Sequence, residues 1–438
     1  MIRSGICAMV AFAVLAFGGV QPWGRAVLEI GAAILFLVWG LSAVRQERAE
    51  IHWNWLYVPL LGLGLIALVQ YVFGLSVYPY LTKIELLKWG AYILLFFLAL
   101  ESFHTEDDLK QFVWFLIGLG FVVSLFAIIQ DFASNGKLYW FVSLSSGASS
   151  FGPFVDRDHF AGFVELTAPL GLALLLFRSR RPEQIPLLLL FSIVPIGALI
   201  LTASRGGILA FTFELALLVL LSRAHRIGKK QLLATSVIVF LAGTFIVWLG
   251  VGAAIERFEQ LTHEGISREL RVSIYRDTWQ IFRDYPPVGT GLGTLVTVYP
   301  CYASFYSGLT VDHAHNDYLE LLADTGVAGG LCGLMFIGIL LWQGLTGLQF
   351  PREPLLRAIA LGSLVACTGL LLHSLVDFNL HIPSNALIFL LLSRIATTGS
   401  DRIPRSGSLI EHKPRNSGSL RRWRVLEYSR GFRIDRQL

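Results

Sequence analysis

Val327-Ala328-Gly329-Gly330-Leu331-Cys332-Gly333-Leu334-Met335-Phe336-Ile337-Gly338-Ile339-Leu340-Leu341-Trp342 contains no charged residue. A run of this character needs only a few more apolar residues to cross a bilayer, which takes about 20. Immediately upstream stands His313-Ala314-His315-Asn316-Asp317-Tyr318-Leu319-Glu320, a dense polar stretch. Together the two segments predict a spanning helix whose leading end sits at a membrane surface. Ionisable groups kept in such a place are costly and tend to be functional.

The same pattern extends along the whole chain. Of 438 residues, 55% are hydrophobic and 15% charged, and the mean hydropathy is +0.64. Soluble domains carry about 25% charged residues, so most of this chain is expected in lipid. Apolar spans are read at 5–21, 26–44, 56–74, 85–103, 109–130, 160–177, 185–202, 206–222, 232–252, 327–345, 355–377 and 383–398. The fold class that follows is all-α, a polytopic membrane bundle of about 12 helices with a large helical loop outside the cytoplasm. The first span follows Arg3 as a signal peptide would. No small-x-small cleavage site stands out and a second span follows at once, which favours an uncleaved helix. Cys7, Cys332 and Cys367 fall inside spans and Cys301 in the long loop, so no disulfide framework is expected.

Arg45 and Arg48, then Arg178, Arg180 and Arg181, then Arg223, Arg226, Lys229 and Lys230 occupy alternate connections. The positive-inside rule places these in the cytoplasm, together with both termini. The connection Ser102 to Asp108 is acidic and fits that assignment poorly. Residues 1–398 form the membrane domain and 399–438 a tail with ten Lys/Arg against four Asp/Glu. The tail lacks apolar periodicity and reads as a disordered cytoplasmic segment near anionic lipid, with no nucleic-acid motif.

Topology brings distant segments to the other face. They are Asp131 to His159, Thr202 to Gly207, the long loop at about 253–326, and Asp377 to His381. Within the loop, Ile266, Leu270, Ile274, Trp279 and Phe282 recur at helical spacing over Glu256 to Asp284. Pro286-Pro287 ends that helix and Gly289-Thr290-Gly291-Leu292-Gly293 makes a tight turn.

His315-Asn316 is followed after nine residues by Gly326-Val327-Ala328-Gly329. Ser204-Arg205-Gly206-Gly207, Arg271 to Tyr275 with Asp284 to Pro286 and Gly291 to Gly293, and Gly152-Pro153-Phe154 complete a set of four motifs. In order and spacing they resemble the O-antigen ligase and O-antigen polymerase superfamily of bacterial envelope glycan enzymes. The likeness covers roughly residues 150 to 345, with Asp156 and Asp158 where many relatives have asparagines. It implies a multi-pass inner-membrane glycosyltransferase whose active site faces the periplasm. The donor would be a glycan on undecaprenyl diphosphate, and the acceptor a lipid A–core, a growing polysaccharide or a protein. It also implies no cofactor and no metal.

On that basis Arg205 and Arg271 would hold the diphosphate, with Arg276 assisting, because guanidinium binds phosphate oxygens bidentately and stays charged. His315 would act either as general base on the acceptor hydroxyl or as a phosphate anchor at a helix N-terminus. His313, Asn316, Asp158 and Asp377 are expected to support it. Each has a plainer reading: Asp156 to His159 would cap a helix, and Asp377 and His381 would do the same near the end of the chain. Zinc at His313 and His315 is disfavoured because the stretch lacks the Cys or Glu-x-x-His partners such a site uses. A transporter or flippase of lipid-linked glycans is the competing class. It would place ionisable groups at mid-membrane, whereas the spans read as nearly free of charge.

Overall fold

The structure, a computed structural model, describes residues 1–46, 50–144, 149–177, 182–223, 268–306, 308, 310–349, 353–398 and 424–426. In chain order the helices are α1 (Ile2–Leu15), α2 (Pro22–Arg45), α3 (Tyr57–Val72), α4 (Pro79–Leu100), α5 (Glu106–Phe132), α6 (Arg157–Phe177), α7 (Ile185–Leu201) and α8 (Arg205–Arg223). Then follow α9 (Arg268–Asp284), the short α10 (Leu295–Val298), α11 (Asp317–Gln349), α12 (Pro354–His373) and α13 (Pro383–Ala396). One short parallel pair joins β1 (Glu50–His52) to β2 (Arg424–Leu426).

Eleven of the twelve expected spans coincide with helices. Six of them, α2, α5, α6, α8, α11 and α12, are long and apolar enough to cross a membrane. Four others, α1, α3, α7 and α13, are apolar but shorter. Helix α4 carries Lys83, Glu85 and Lys88 in its first half. The span read at 232–252, the loop before residue 268 and nearly all of the tail lie outside the described residues.

Local chemistry sets the helix starts. Proline opens α2, α4, α12 and α13, where its missing N–H costs nothing. At α5, Thr105 and Asp108 form a reciprocal capping box, and Asp108 also pairs with Arg3. The acidic connection at Ser102 to Asp108, awkward for topology, is thus a helix start.

The centre of the bundle is α6 packed along α12, with α13 beside them. Side chains of α6 and α13 are buried on every face. The outer helices do the opposite. On α2, Ile30, Ile34, Leu37, Leu41 and Val44 form one exposed stripe, with Leu37 63% exposed. An apolar stripe turned outward at helical spacing belongs against lipid. This is a multi-pass membrane protein.

The spans are not, however, nearly free of charge. Glu165 in α6, Glu214 in α8, His373 in α12, and Glu320 and Asp324 in the first part of α11 are all buried.

Candidate functional site

The leading part of α11 begins with Asn316. Its Oδ1 accepts the N–H groups of Tyr318 (3.1 Å) and Leu319 (3.0 Å), a side-chain N-cap. Its Nδ2 donates to the carbonyl of Leu375 at 2.9 Å, tying α11 to the segment after α12. Asn316 is therefore a clamp between two elements. The next residue back, His315, has φ 51°, in the left-handed region that a non-glycine residue seldom adopts. Tyr275 of α9 donates its hydroxyl to the His315 carbonyl at 2.9 Å and helps hold that backbone.

Helix α11 is broken at Gly326, whose φ 64° and ψ −162° suit glycine alone. A Cβ there would stand 2.6 Å from the Pro286 carbonyl oxygen. The Gly-rich turn docks on this break. Thr290 N–H donates to Ala323, Gly291 N–H to Asp324, and Val327 N–H to Pro286. Gly293 N–H also reaches the Asp324 carboxylate at 2.6 Å. Gln70 of α3 completes the joint, donating to the carbonyls of Val288 and Asp324 and accepting from Leu292 N–H. The spaced glycines of the sequence are thus the fittings by which the loop grips α11.

The Ser204-Arg205-Gly206-Gly207 turn has a comparable reason. Ser204 Oγ caps α8 by accepting Gly207 N–H at 3.0 Å, after Ala203 turns the chain at φ 53°. A Cβ at Gly206 would come within 2.7 Å of His373 Nε2, and one at Gly207 within 2.6 Å of Ala161 Cβ. The turn rests on a buried histidine–carboxyl contact, His373 Nδ1 to Glu165 Oε1 at 2.8 Å. Arg205, exposed, stands at the first position of α8 on this seat.

Asp377 is the centre of the cluster. It is 3% exposed, with His315 Nδ1 3.5 Å from one carboxylate oxygen. His159 Nε2 and His373 Nε2 each lie 4.0 Å from the other. Burial alone would raise this carboxyl, but the three imidazoles outweigh it and hold the group well below the ordinary carboxylate range. Arg271 of α9 donates to the neighbouring Val376 carbonyl at 3.2 Å. The starts of α6, α8 and α11 all converge on residues 373–377, through His159, Gly206 and the Asp317 N–H bonded to Ser374 O. Helix N-termini favour anions.

A second cluster adjoins the first. His313 Nδ1 lies 2.8 Å from Glu320 Oε1, and His381 bridges Asp317 (2.7 Å) and Glu320 (3.2 Å). Burial would lower His381, but Glu320 and Asp317 raise it to about 9. Phe378 divides the clusters, stacking on His313 at 4.2 Å and meeting His159 and His315 in T-shaped contacts. Among the described residues His313, Glu320 and His381 offer ligand atoms within 4.8 Å of one another, without His315. Glu320 is already engaged by both histidines and by Ala314 N–H. A cavity of about 160 Å³ borders Asp317 and His381 and is otherwise mostly apolar, with Leu60, Trp89 and Phe336 on its wall.

The structure therefore brings together His315, Asp377, Arg271, Asn316 and the turn bearing Arg205. Arg276 is exposed on α9, away from the buried face formed by Ile274, Asp277, Thr278 and Ile281. That face differs from the expected one, since Trp279 is 48% exposed. Asp156 caps α6 by accepting Asp158 N–H at 2.7 Å, the plainer of the two readings. Burial, Asp158 and Asp377 push the Asp156 carboxyl up to about 7. Sequence reasoning gave no place in the site to Glu165, His373 or Phe378, read His159 only as part of a helix cap, and assigned no role to Asp317 or Glu320. Ionisable residues inside apolar spans were the available signal for Glu165 and His373.

Residues 186–334 match the model of a family described as O-antigen ligase. The match includes Arg205, Arg271, Arg276, His313, His315 and Asn316, while Asp158 and Asp377 lie outside it. No curated protein matches the chain.

Proposed function

We propose that this chain, which matches the O-antigen ligase family model over residues 186–334, is a metal-independent glycosyltransferase of that superfamily. It moves a glycan from undecaprenyl diphosphate to an acceptor hydroxyl at the periplasmic face of the inner membrane. One observation carries the reading. Three helix N-termini and the arginine-bearing elements α8 and α9 converge on a His–Asp pair at one end of the bundle. That is an anion site with a base beside it.

In the proposed reaction the acceptor oxygen attacks the anomeric carbon while the bond from that carbon to the phosphate oxygen breaks. The diphosphate leaves with the electron pair. Arg205 and Arg271 stabilise its growing charge, aided by the helix ends. His315 takes the hydroxyl proton on Nε2, because its Nδ1 is turned toward Asp377. Asp377 then stabilises the imidazolium, as a carboxylate does behind any histidine base. Between the two roles open to His315, this orientation favours the base. The apolar cavity beside Asp317 and His381 suits the hydrocarbon of a lipid-linked substrate.

A second reading, transport of lipid-linked glycans, draws on Glu165, Glu214 and His373 inside the bundle. Proteoliposomes with undecaprenyl-diphosphate glycan and candidate acceptors separate the two. Transfer gives an acceptor–glycan product and free undecaprenyl diphosphate. Movement of intact donor across the bilayer, with no product from lipid A–core, polysaccharide or protein acceptors, would replace the transferase reading.

A further inference from the structure

The opposite end of the bundle holds a cluster that the transfer reaction does not use. Helix α4 starts beside the Gly-rich turn, where Val77 N–H bonds Thr290 O, and runs 22 residues to Leu100. At about 1.5 Å per residue its far end is roughly 33 Å away. There Glu101 ends α4, His104 follows in the connection to α5, and His52 arrives on β1. The side chain of Glu101 is 2% exposed. One of its carboxylate oxygens accepts His52 N–H at 2.7 Å, and the other lies 3.0 Å from His52 Nδ1. The His52 and His104 rings are 4.4 Å apart. His104 Nε2 lies 2.6 Å from the Glu101 carbonyl oxygen.

We propose that His52, Glu101 and His104 form a binding site for one divalent transition-metal ion, zinc in first place. One ring nitrogen from each histidine and one Glu101 oxygen all lie within 4.8 Å of one another. Tetrahedral zinc with bonds of about 2.0–2.1 Å separates its ligands by about 3.3 Å, close to the His52–Glu101 spacing. Two imidazole nitrogens and one carboxylate oxygen suit zinc and leave a fourth position open. The main-chain hydrogen bond on the second Glu101 oxygen is the kind of outer-shell contact that orients a ligating carboxylate. The ion would tie β1 to the connection between the end of α4 and the start of α5.

The test uses the full-length protein in detergent, stripped with chelator, reloaded with Zn²⁺, washed and measured for metal by mass spectrometry. Wild type and His313→Ala should retain about one zinc per chain, and His52→Ala and His104→Ala less than one-tenth of that. Equal retention in all four overturns the proposal. So does loss in His313→Ala alone, which would assign the metal to His313, Glu320 and His381. In case the His52 and His104 variants fold poorly, Co²⁺ added to His313→Ala, in which the second cluster has lost a ligand, provides an independent reading. Intense visible bands of a four-coordinate ion are expected, and weak octahedral bands would overturn the site.

Discussion

At the scale of single residues, the arginines and the histidines separate into distinct tests. Arg205→Lys and Arg271→Lys should each abolish most transfer while leaving the protein inserted, because a point charge cannot reproduce the planar two-bond fork on a diphosphate. Radiolabelled glycan transfer in membranes reads this, and near-normal activity in both variants removes the diphosphate assignment. His315→Ala should slow transfer by roughly 10²–10⁴-fold at saturating donor. If saturating donor instead restores the rate, His315 is a phosphate anchor. His313→Ala should cost far less, since His313 pairs with Glu320 on the far side of Phe378. The pH behaviour follows from His381, held at about 9 against an ordinary value near 6.5. Its contribution to stability is complete below about pH 6.5 and is lost as pH rises through about 9. Thermal unfolding in detergent across that window should therefore show a decline that His381→Gln flattens. An unchanged slope would mean that the pair contributes nothing.

Elements explain why the motifs are spaced as they are. The nine residues between Asn316 and Gly326 are the short leading helix of α11, capped at one end and broken at the other. Gly326→Ala should destabilise the protein by roughly 1–3 kcal/mol or more, through a strained φ and a Cβ against the Pro286 carbonyl. A melting temperature equal to wild type would mean that the joint is looser than its contacts suggest. Here the sequence was a good guide to the glycines and a poor one to their purpose. Pattern spacing located the turn at Gly289 to Gly293, but only packing shows that it clasps Asp324 and Ala323. The α9 helix was legible from periodicity, yet its buried face was misjudged. Polar Asp277 and Thr278 are buried, Asp277 satisfied by Tyr299 and Ser304 and Thr278 by the Ile274 carbonyl, and no apolar stripe announces such pairs.

At the scale of the whole molecule, the convergence of remote segments on one end of the bundle was readable from topology alone. The partners inside the membrane were not, because Glu165 and His373 occur singly within apolar runs and meet only when α6 packs on α12. Orientation across the bilayer can be tested with the native cysteines. Cys301 is exposed and free, so a membrane-impermeant thiol reagent should label it in intact spheroplasts. A cysteine replacing Gln46 should label only once the membrane is opened, and the reverse pattern would place the site in the cytoplasm. The Gln70 joint also constrains biogenesis. Its amide serves backbone groups 218 to 254 residues further along the chain. At about 5–20 residues per second, a ribosome needs roughly 10–50 s to deliver them. During that interval α3 sits in the insertion machinery or the lipid with its hydrogen-bonding end unmet, and the N-terminal third of the protein waits for its own later half.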